Sequence, residues 1–269
     1  MDGGKPLIRV RDLEARYGDT TVLKDVTLDV GRGEVLTIVG GSGCGKSTLM
    51  KHMIGLYRPH AGTVEVDGRD VSRLDENEYK DLVRTFGILY QGGALLGSMT
   101  VGQNILLPIR EYTDLDRESA DSLVRIKLGM VHLSGYADHL PSELSGGMQK
   151  RAALARAMAL NPKILFFDEP SAGLDPITAA DLDNLILRLN RIFKTTMVVV
   201  THELRSIMAI SDRCVVLDKE RRGVAAVGDP RELAKKSGDS LVRRFFNPER
   251  TQGETGGDAP AGERTSGGE

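Results

Sequence analysis

Residues 40–48, Gly40-Gly41-Ser42-Gly43-Cys44-Gly45-Lys46-Ser47-Thr48, constrain this chain more than any other stretch. They fit G-x-x-x-x-G-K-[ST]. Val35-Leu36-Thr37-Ile38-Val39 before them is apolar and β-branched enough for a buried strand, and Leu49-Met50-Lys51-His52-Met53 after them continues as a helix. Strand, glycine loop and helix together are the setting in which this spacing cradles phosphate instead of merely turning the chain. The glycines let backbone N–H groups turn inward around phosphate oxygens, and the helix start adds the positive end of its dipole. Lys46 is expected to reach the β- and γ-phosphates and the Ser47 hydroxyl to ligate Mg²⁺. The expected ligand is ATP or GTP.

At 269 residues the chain can bury a substantial core as one large domain or two small ones. A formal net charge of -2 removes the electrostatic argument for a nucleic-acid partner. The two cysteines, Cys44 in the phosphate loop and Cys214 in an apolar strand-like run, do not suggest a disulfide, so a reducing compartment is expected. No apolar stretch approaches the roughly 18 residues that cross a bilayer. Met1-Asp2-Gly3-Gly4-Lys5-Pro6 lacks the apolar core of a signal peptide, so membrane work would need another chain.

The first hundred residues read as strands and turns: Leu7–Val10, Val22–Val30 and Gly62–Gly68, with Gly31-Arg32-Gly33 turning the chain. From about 114 to 160 the pattern becomes helical, which predicts a helical insertion into an α/β core. Near-continuous apolar runs of parallel-sheet type then return at Ile164–Phe167, Met197–Val200 and Cys214–Leu217. The segment 250–269, rich in Gly, Thr, Glu and Ala, is expected to be a disordered tail.

Two further elements carry chemistry. Ile164-Leu165-Phe166-Phe167-Asp168-Glu169 is a buried strand with two carboxylates at its C-terminal end, where open α/β sheets bind ligands. Asp168 is expected to hold Mg²⁺ through its water shell, and Glu169 to accept a proton from the attacking water or orient it. In Leu144-Ser145-Gly146-Gly147-Met148-Gln149, Ser145 can cap a helix running through Lys150–Ala157, and the glycines expose backbone N–H groups at a second anion-binding helix start.

With this element the chain resembles the ATP-binding-cassette (ABC) ATPases over roughly residues 7 to 235. The resemblance implies an α/β P-loop ATPase domain with a RecA-like core, an antiparallel β subdomain and a helical subdomain. The expected extent is 1–249, with the helical subdomain at about 92–160 and a C-terminal extension at about 236–249. It implies ATP and Mg²⁺ as ligands and adds site residues. Tyr17 resembles the aromatic that stacks on adenine. Gln91 resembles the Q-loop glutamine that contacts Mg²⁺ and the attacking water. Ser171-Ala172-Gly173-Leu174-Asp175 resembles the D-loop that passes beside the partner's site, and His202 the switch histidine that senses the γ-phosphate. It also implies a head-to-tail dimer in the ATP-bound state, in which Ser145, Gly146 and Gly147 of one copy close over ATP held by residues 40–48 of the other.

Gln91-Gly92-Gly93-Ala94-Leu95-Leu96, Val101-Gly102-Gln103-Asn104, Leu107–Glu111, Pro141–Met148 and Ala172–Thr178 are similar to the ATPases of Mla/Mce-type lipid transporters. Met148 stands where ABC signatures more often carry Gln, and suits this subfamily. That resemblance implies phospholipid or another lipid as cargo. The implied partners are an integral-membrane permease, an MCE-domain lipid-carrying protein and, in some systems, a small STAS-domain protein, but no nucleic acid. The implied location is peripheral, on the cytoplasmic face of the bacterial inner membrane. The alternatives are the motor of another ABC system, such as amino-acid import or lipoprotein release, and a soluble regulatory ABC ATPase.

Two surfaces stay open at this stage. The apolar residues between Tyr90 and Pro108 suit either a groove for a partner's helix or packing within the helical insertion. Leu241, Val242 and Phe245 fall near one helical face, which docks either on its own domain or on a neighbouring subunit.

Overall fold

The computed structural model describes residues 5–247, so the expected tail at 250–269 lies outside the described residues. Strands β1 (Ile8–Tyr17) and β2 (Thr20–Val30) form a hairpin, both longer than the periodicity predicts. Strand β3 (Val35–Gly40) leads through the phosphate loop into helix α1 (Lys46–Met53). Strands β4 (Ala61–Val66) and β5 (Arg69–Asp70) return to the hairpin and complete an antiparallel sheet in the order β2-β1-β4-β5.

Helix α2 (Glu76–Val83) and strand β6 (Phe86–Leu89) precede a helical layer of α3 (Val101–Tyr112), α4 (Arg117–Met130) and α5 (Gly146–Ala157). The chain then alternates: β7 (Ile164–Asp168), α6 (Pro176–Phe193), β8 (Thr196–Val200), α7 (Leu204–Ile210), β9 (Arg213–Asp218) and β10 (Gly223–Gly228). The second sheet runs β10-β9-β3-β8-β7-β6, parallel except for β10. Its pairing brings the C-terminal ends of β3, β8, β7 and β6 to one edge, which is where the candidate residues begin.

The central strands are apolar throughout because both faces are covered. Alternate residues go to opposite cores. Phe166, Val198, Val200, Leu36 and Ile38 meet α1 and the antiparallel sheet, while Phe167, Met197 and Val199 meet α3–α6.

The helical insertion starts at Val101, ahead of the 114 at which the helical pattern begins in sequence and inside the 92–160 that the resemblance implies. Thr100 and Gln103 cap α3 reciprocally, and Val101, Ile105 and Ile109 are fully buried against the helical layer. The apolar excess between Tyr90 and Pro108 therefore mainly packs the domain's own interior, leaving Leu96 and Leu107 exposed.

Helices α8 (Pro230–Lys236) and α9 (Ser240–Phe246) close the described chain. Val242 and Phe246 are buried against Val39, Ile207, Cys214 and Val216, with Leu241 and Phe245 half-buried beside them. The apolar face of α9 thus docks on its own domain.

Lys127 of α4 is only 2% exposed, and its Nζ donates to Asn161 Oδ1 at 2.5 Å. Burial pulls its ammonium from 10.5 down to about 8. Between those values the unfolded chain binds the extra proton, so this residue penalises folding at neutral pH and the penalty fades as pH rises from about 8. Lys127→Met is expected to raise Tm at pH 7, with the gain shrinking by pH 9.5. Thermal melts at both pH values check this, and a gain that grew with pH would contradict it.

Candidate functional site

The phosphate loop leaves β3 at Gly40, whose φ is +144° and where a Cβ would lie 2.4 Å from the Leu217 carbonyl oxygen. Only glycine lets the chain turn so close to the end of β9. Gly41, Ser42 and Gly43 are exposed, while Cys44 and Gly45 are buried beneath them. The Cys44 side chain is 2% exposed and burial pushes its thiol up, so it serves the loop by packing and not as a thiolate. Lys46 reaches back over the loop, donating to the Gly40 and Gly41 carbonyls at 2.9 and 3.0 Å. That is the reach needed for phosphates seated in the loop.

Ser47 and Thr48 connect the loop to its surroundings. Ser47 Oγ donates to Asp168 Oδ1 at 3.1 Å. Burial raises the Asp168 carboxyl above its ordinary range, Ser47 works against that, and the Glu169 charge adds to it. A buried carboxylate held up by desolvation is eased by a nearby cation. Ser47 Oγ and Asp168 Oδ1 fit Mg²⁺, which takes one or two protein oxygens and completes its shell with phosphate and water. Thr48 Oγ1 lies 3.4 Å from the Tyr17 hydroxyl, so Tyr17, 46% exposed, stands over the start of α1. The Tyr57 ring packs edge-on against it, with centroids 5.7 Å apart.

Glu169 follows the end of β7 in a left-handed backbone conformation, φ +50°. Such conformations cost energy and gather at sites where direction matters. Its N–H donates to the Val200 carbonyl at 2.9 Å, which ties it to β8. His202, two residues past the end of β8, brings Nδ1 to 2.9 Å from Glu169 Oε1. Oε2 is buried and has no hydrogen-bond partner. One oxygen of the carboxylate is thus held in direction while the other can accept a proton.

Gln91 follows β6 and is exposed. Its backbone carbonyl accepts a hydrogen bond from Lys150 of α5, so its anchor lies in the helical layer. Ser145 caps α5, its Oγ accepting from the Met148 N–H at 3.3 Å, and Ser145 and Gly146 are exposed. A Cβ at Gly147 would fall 2.4 Å from Thr178 Cγ2, so that glycine lets α5 start against α6. Asp175 caps α6 by accepting from the Ile177 and Thr178 N–H groups at 3.1 Å each; the Thr178 side chain first, and these N–H groups with it, hold its carboxyl below the usual range.

The structure therefore brings residues 40–48, Asp168, Glu169 and His202 together, with Tyr17 at one rim. It pairs 145–147 with 171–178 as a second, largely exposed surface, tied to the first by the Ala172 N–H, which donates to the Glu169 carbonyl at 3.2 Å, while no hydrogen bond among the described residues joins 145–147 to 40–48. Lys150, Arg156, Thr178 and Tyr57 were missed by sequence reasoning. Three basic residues, Lys150, Arg151 and Arg156, in the alanine-rich stretch 150–157 were the available signal for the first two.

A family model described as ABC transporter matches residues 23–172. The chain belongs to the ABC transporter family. It is an ABC ATPase that binds ATP and hydrolyses it. The probable ribonucleotide transport ATP-binding protein mkl of Mycobacterium leprae is 39% identical over 252 residues, covering 93% of this chain and 72% of that protein. The intermembrane phospholipid transport system ATP-binding protein MlaF of Haemophilus influenzae is 38% identical, covering 90% of this chain and 91% of that protein. MlaF of Escherichia coli K12 is 37% identical, with 90% and 88% covered.

Among solved structures, the ATP-binding cassette MJ0796, as a post-hydrolysis dimer bound to ADP and Pi, superposes with a TM-score of 0.74 at 30% identity, covering 82% of this chain and 98% of that one. The cassette cbiO1 of Clostridium perfringens gives a TM-score of 0.79 at 27% identity over 93% of this chain and 97% of that one. The two-sheet ABC architecture expected from sequence is thus shared with solved cassettes. No helix among the described residues is long and apolar enough to cross a membrane.

Proposed function

We propose that this ABC ATPase powers lipid movement between membranes, working as a head-to-tail dimer beneath an integral-membrane permease on the cytoplasmic face of the bacterial inner membrane. The observation that carries the lipid reading is the likeness to MlaF at 37–38% identity over about nine-tenths of this chain, together with the 91–111 segment discussed above. Dimeric cassettes among the structural relatives support the pairing, and so does the separation of the 145–147 surface from the 40–48 loop within one copy. An MCE-domain lipid carrier, and a small STAS-domain protein in some assemblies, follow from the same family reading.

In the proposed site Tyr17 stacks on adenine, while the N–H groups of 40–48 and the Lys46 ammonium bind the phosphates. Ser47 and Asp168 would hold Mg²⁺, with Gln91 as a further contact, and the ion would offset charge on the β- and γ-phosphates. Glu169 takes the proton of the attacking water on Oε2, while His202 holds Oε1 and reads the γ-phosphate. Ser145, Gly146 and Gly147 of the second copy cover the same phosphates, and the loop ending at Asp175 runs beside them. Electrostatic placement of this kind supplies most of the catalysis in phosphoryl transfer.

The mycobacterial relative, at 39% identity over 93% of this chain, supports a second reading with a ribonucleotide as cargo. Solubilising the intact complex from membranes and analysing its bound molecules by mass spectrometry separates the two. Phospholipid held with a permease and an MCE-domain subunit is the expected outcome. A ribonucleotide on a complex lacking an MCE-domain subunit would overturn it.

A further inference from the structure

We infer that Lys150 and Arg156 are positioning residues that latch the segment carrying Gln91 to the signature helix α5, so that Gln91 travels with Ser145 as α5 moves. The inference rests on the roles proposed above for Gln91 and for the signature loop. Lys150 is 7% exposed, and its Nζ donates to the Gln91 carbonyl. Arg156 spreads its guanidinium over two carbonyls further along the segment, Nη1 to Ala94 at 2.7 Å and Nη2 to Gly93 at 2.9 Å. Gly93 and Ala94 both have left-handed backbones. Between the two cations a Cβ at Gly93 would lie 3.4 Å from Ala153 Cβ, so the loop is pressed on the helix itself. Lys150, Ala153 and Arg156 recur every three residues and form one row along α5.

The far side of the same segment is held as firmly. Asn104 of α3, fully buried, accepts from the Leu96 N–H at 2.8 Å and turns its amide toward the Leu96, Met99 and Thr100 carbonyls. Residues 91–100 are therefore bound to the helical layer at both ends. The Gln91 side chain, by contrast, is exposed and makes no hydrogen bond among the described residues. Its backbone is fixed to α5 while its amide remains available to the site.

Apolar side chains would have anchored this loop at less desolvation cost than a buried Lys150 and a half-buried Arg156. What cations add is direction, because each requires a carbonyl at one place. Burial lowers the Lys150 ammonium, and the negative charge of Glu169 works against that, so the latch also lies within the field of the catalytic carboxylate. A shift of α5 toward a partner's nucleotide thus carries the Gln91 backbone with it.

The test uses the full chain, measuring ATP turnover and binding of a fluorescent ATP analogue in Lys150→Met, Lys150→Arg, Gln91→Ala and the Gln91→Ala/Lys150→Met double variant. Lys150→Met is expected to lower kcat about tenfold with nucleotide Kd within about twofold, and Lys150→Arg to restore most of the loss. In the Gln91→Ala background, Lys150→Met should cost nothing further, since residues acting as one unit are not additive. Wild-type kcat in Lys150→Met, or additive losses in the double variant, would overturn the latch. Wild-type kcat in Gln91→Ala would instead remove the Q-loop reading, and the latch with it.

Should Lys150→Met fail to fold, Arg156→Lys keeps the charge and loses the fork. Hydrogen exchange of the 92–97 amides is then expected to quicken about tenfold, because opening there loses a carbonyl contact. Unchanged exchange would count against the latch.

Discussion

Glu169→Gln is expected to lower ATP turnover by about 10²–10⁴-fold while leaving ATP affinity within a few fold. The substitution keeps the shape of the side chain and its left-handed backbone. An amide oxygen can still meet His202 Nδ1, at 2.9 Å from Oε1 in the native protein. What disappears is the proton-accepting capacity of Oε2, the buried oxygen without a partner. ATP should therefore load and stay. In the presence of the permease, the variant saturated with ATP is expected to accumulate as a closed dimer with nucleotide between two copies, resolved by size and by nucleotide content. Lys46→Ala gives the opposite pattern, weak binding from loss of the ammonium seated at Gly40 and Gly41. Normal turnover in Glu169→Gln would remove that residue from the chemistry, and absence of the closed dimer would remove the pairing.

Gly87→Ala is expected to be the most damaging single methyl group. Gly87 is buried in β6, and a Cβ there would lie 1.9 Å from the Ala157 carbonyl oxygen and 2.7 Å from its carbon. The obstacle is the backbone at the end of α5, so no rotamer change relieves it. Overpacking of this kind costs up to about 3 kcal/mol or more, which lowers Tm by about 6–12 °C in a domain of this size. Gln91 lies two residues past β6 and is bonded to α5, so kcat should fall as well. Melting curves and turnover on the purified variant check both, and an unchanged Tm would mean that α5 and β6 do not meet this closely.

The parts legible in sequence were those whose chemistry is local. A glycine loop between an apolar strand and a helix, two carboxylates ending an apolar strand, and Ser145 before two glycines each declare themselves within about ten residues. The structure joins the first two through the 3.1 Å bond from Ser47 to Asp168. Less legible was the stretch from Tyr90 to Pro108. Its apolar residues pack inward at Val101, Ile105 and Ile109, and helical spacing alone does not say whether the covering surface belongs to the same chain. The same ambiguity held for α9, whose Val242 and Phe246 find their cover on β3, α7 and β9. Tyr57 escaped notice because its meaning lies in the edge of a ring 40 residues away in sequence.

The amino-acid sequence by itself determined the ligand chemistry and the family, because phosphate binding depends on backbone N–H groups and on glycines at set spacing. Tertiary structure alone decided which groups act together. Glu169 meets His202 because β7 and β8 are paired neighbours, and the Gln91 carbonyl meets Lys150 because β6 lies under α5. Those contacts span 33 and 59 residues of chain. Strand order and helix packing set them, through burial summed over the whole core, and no short motif encodes that sum.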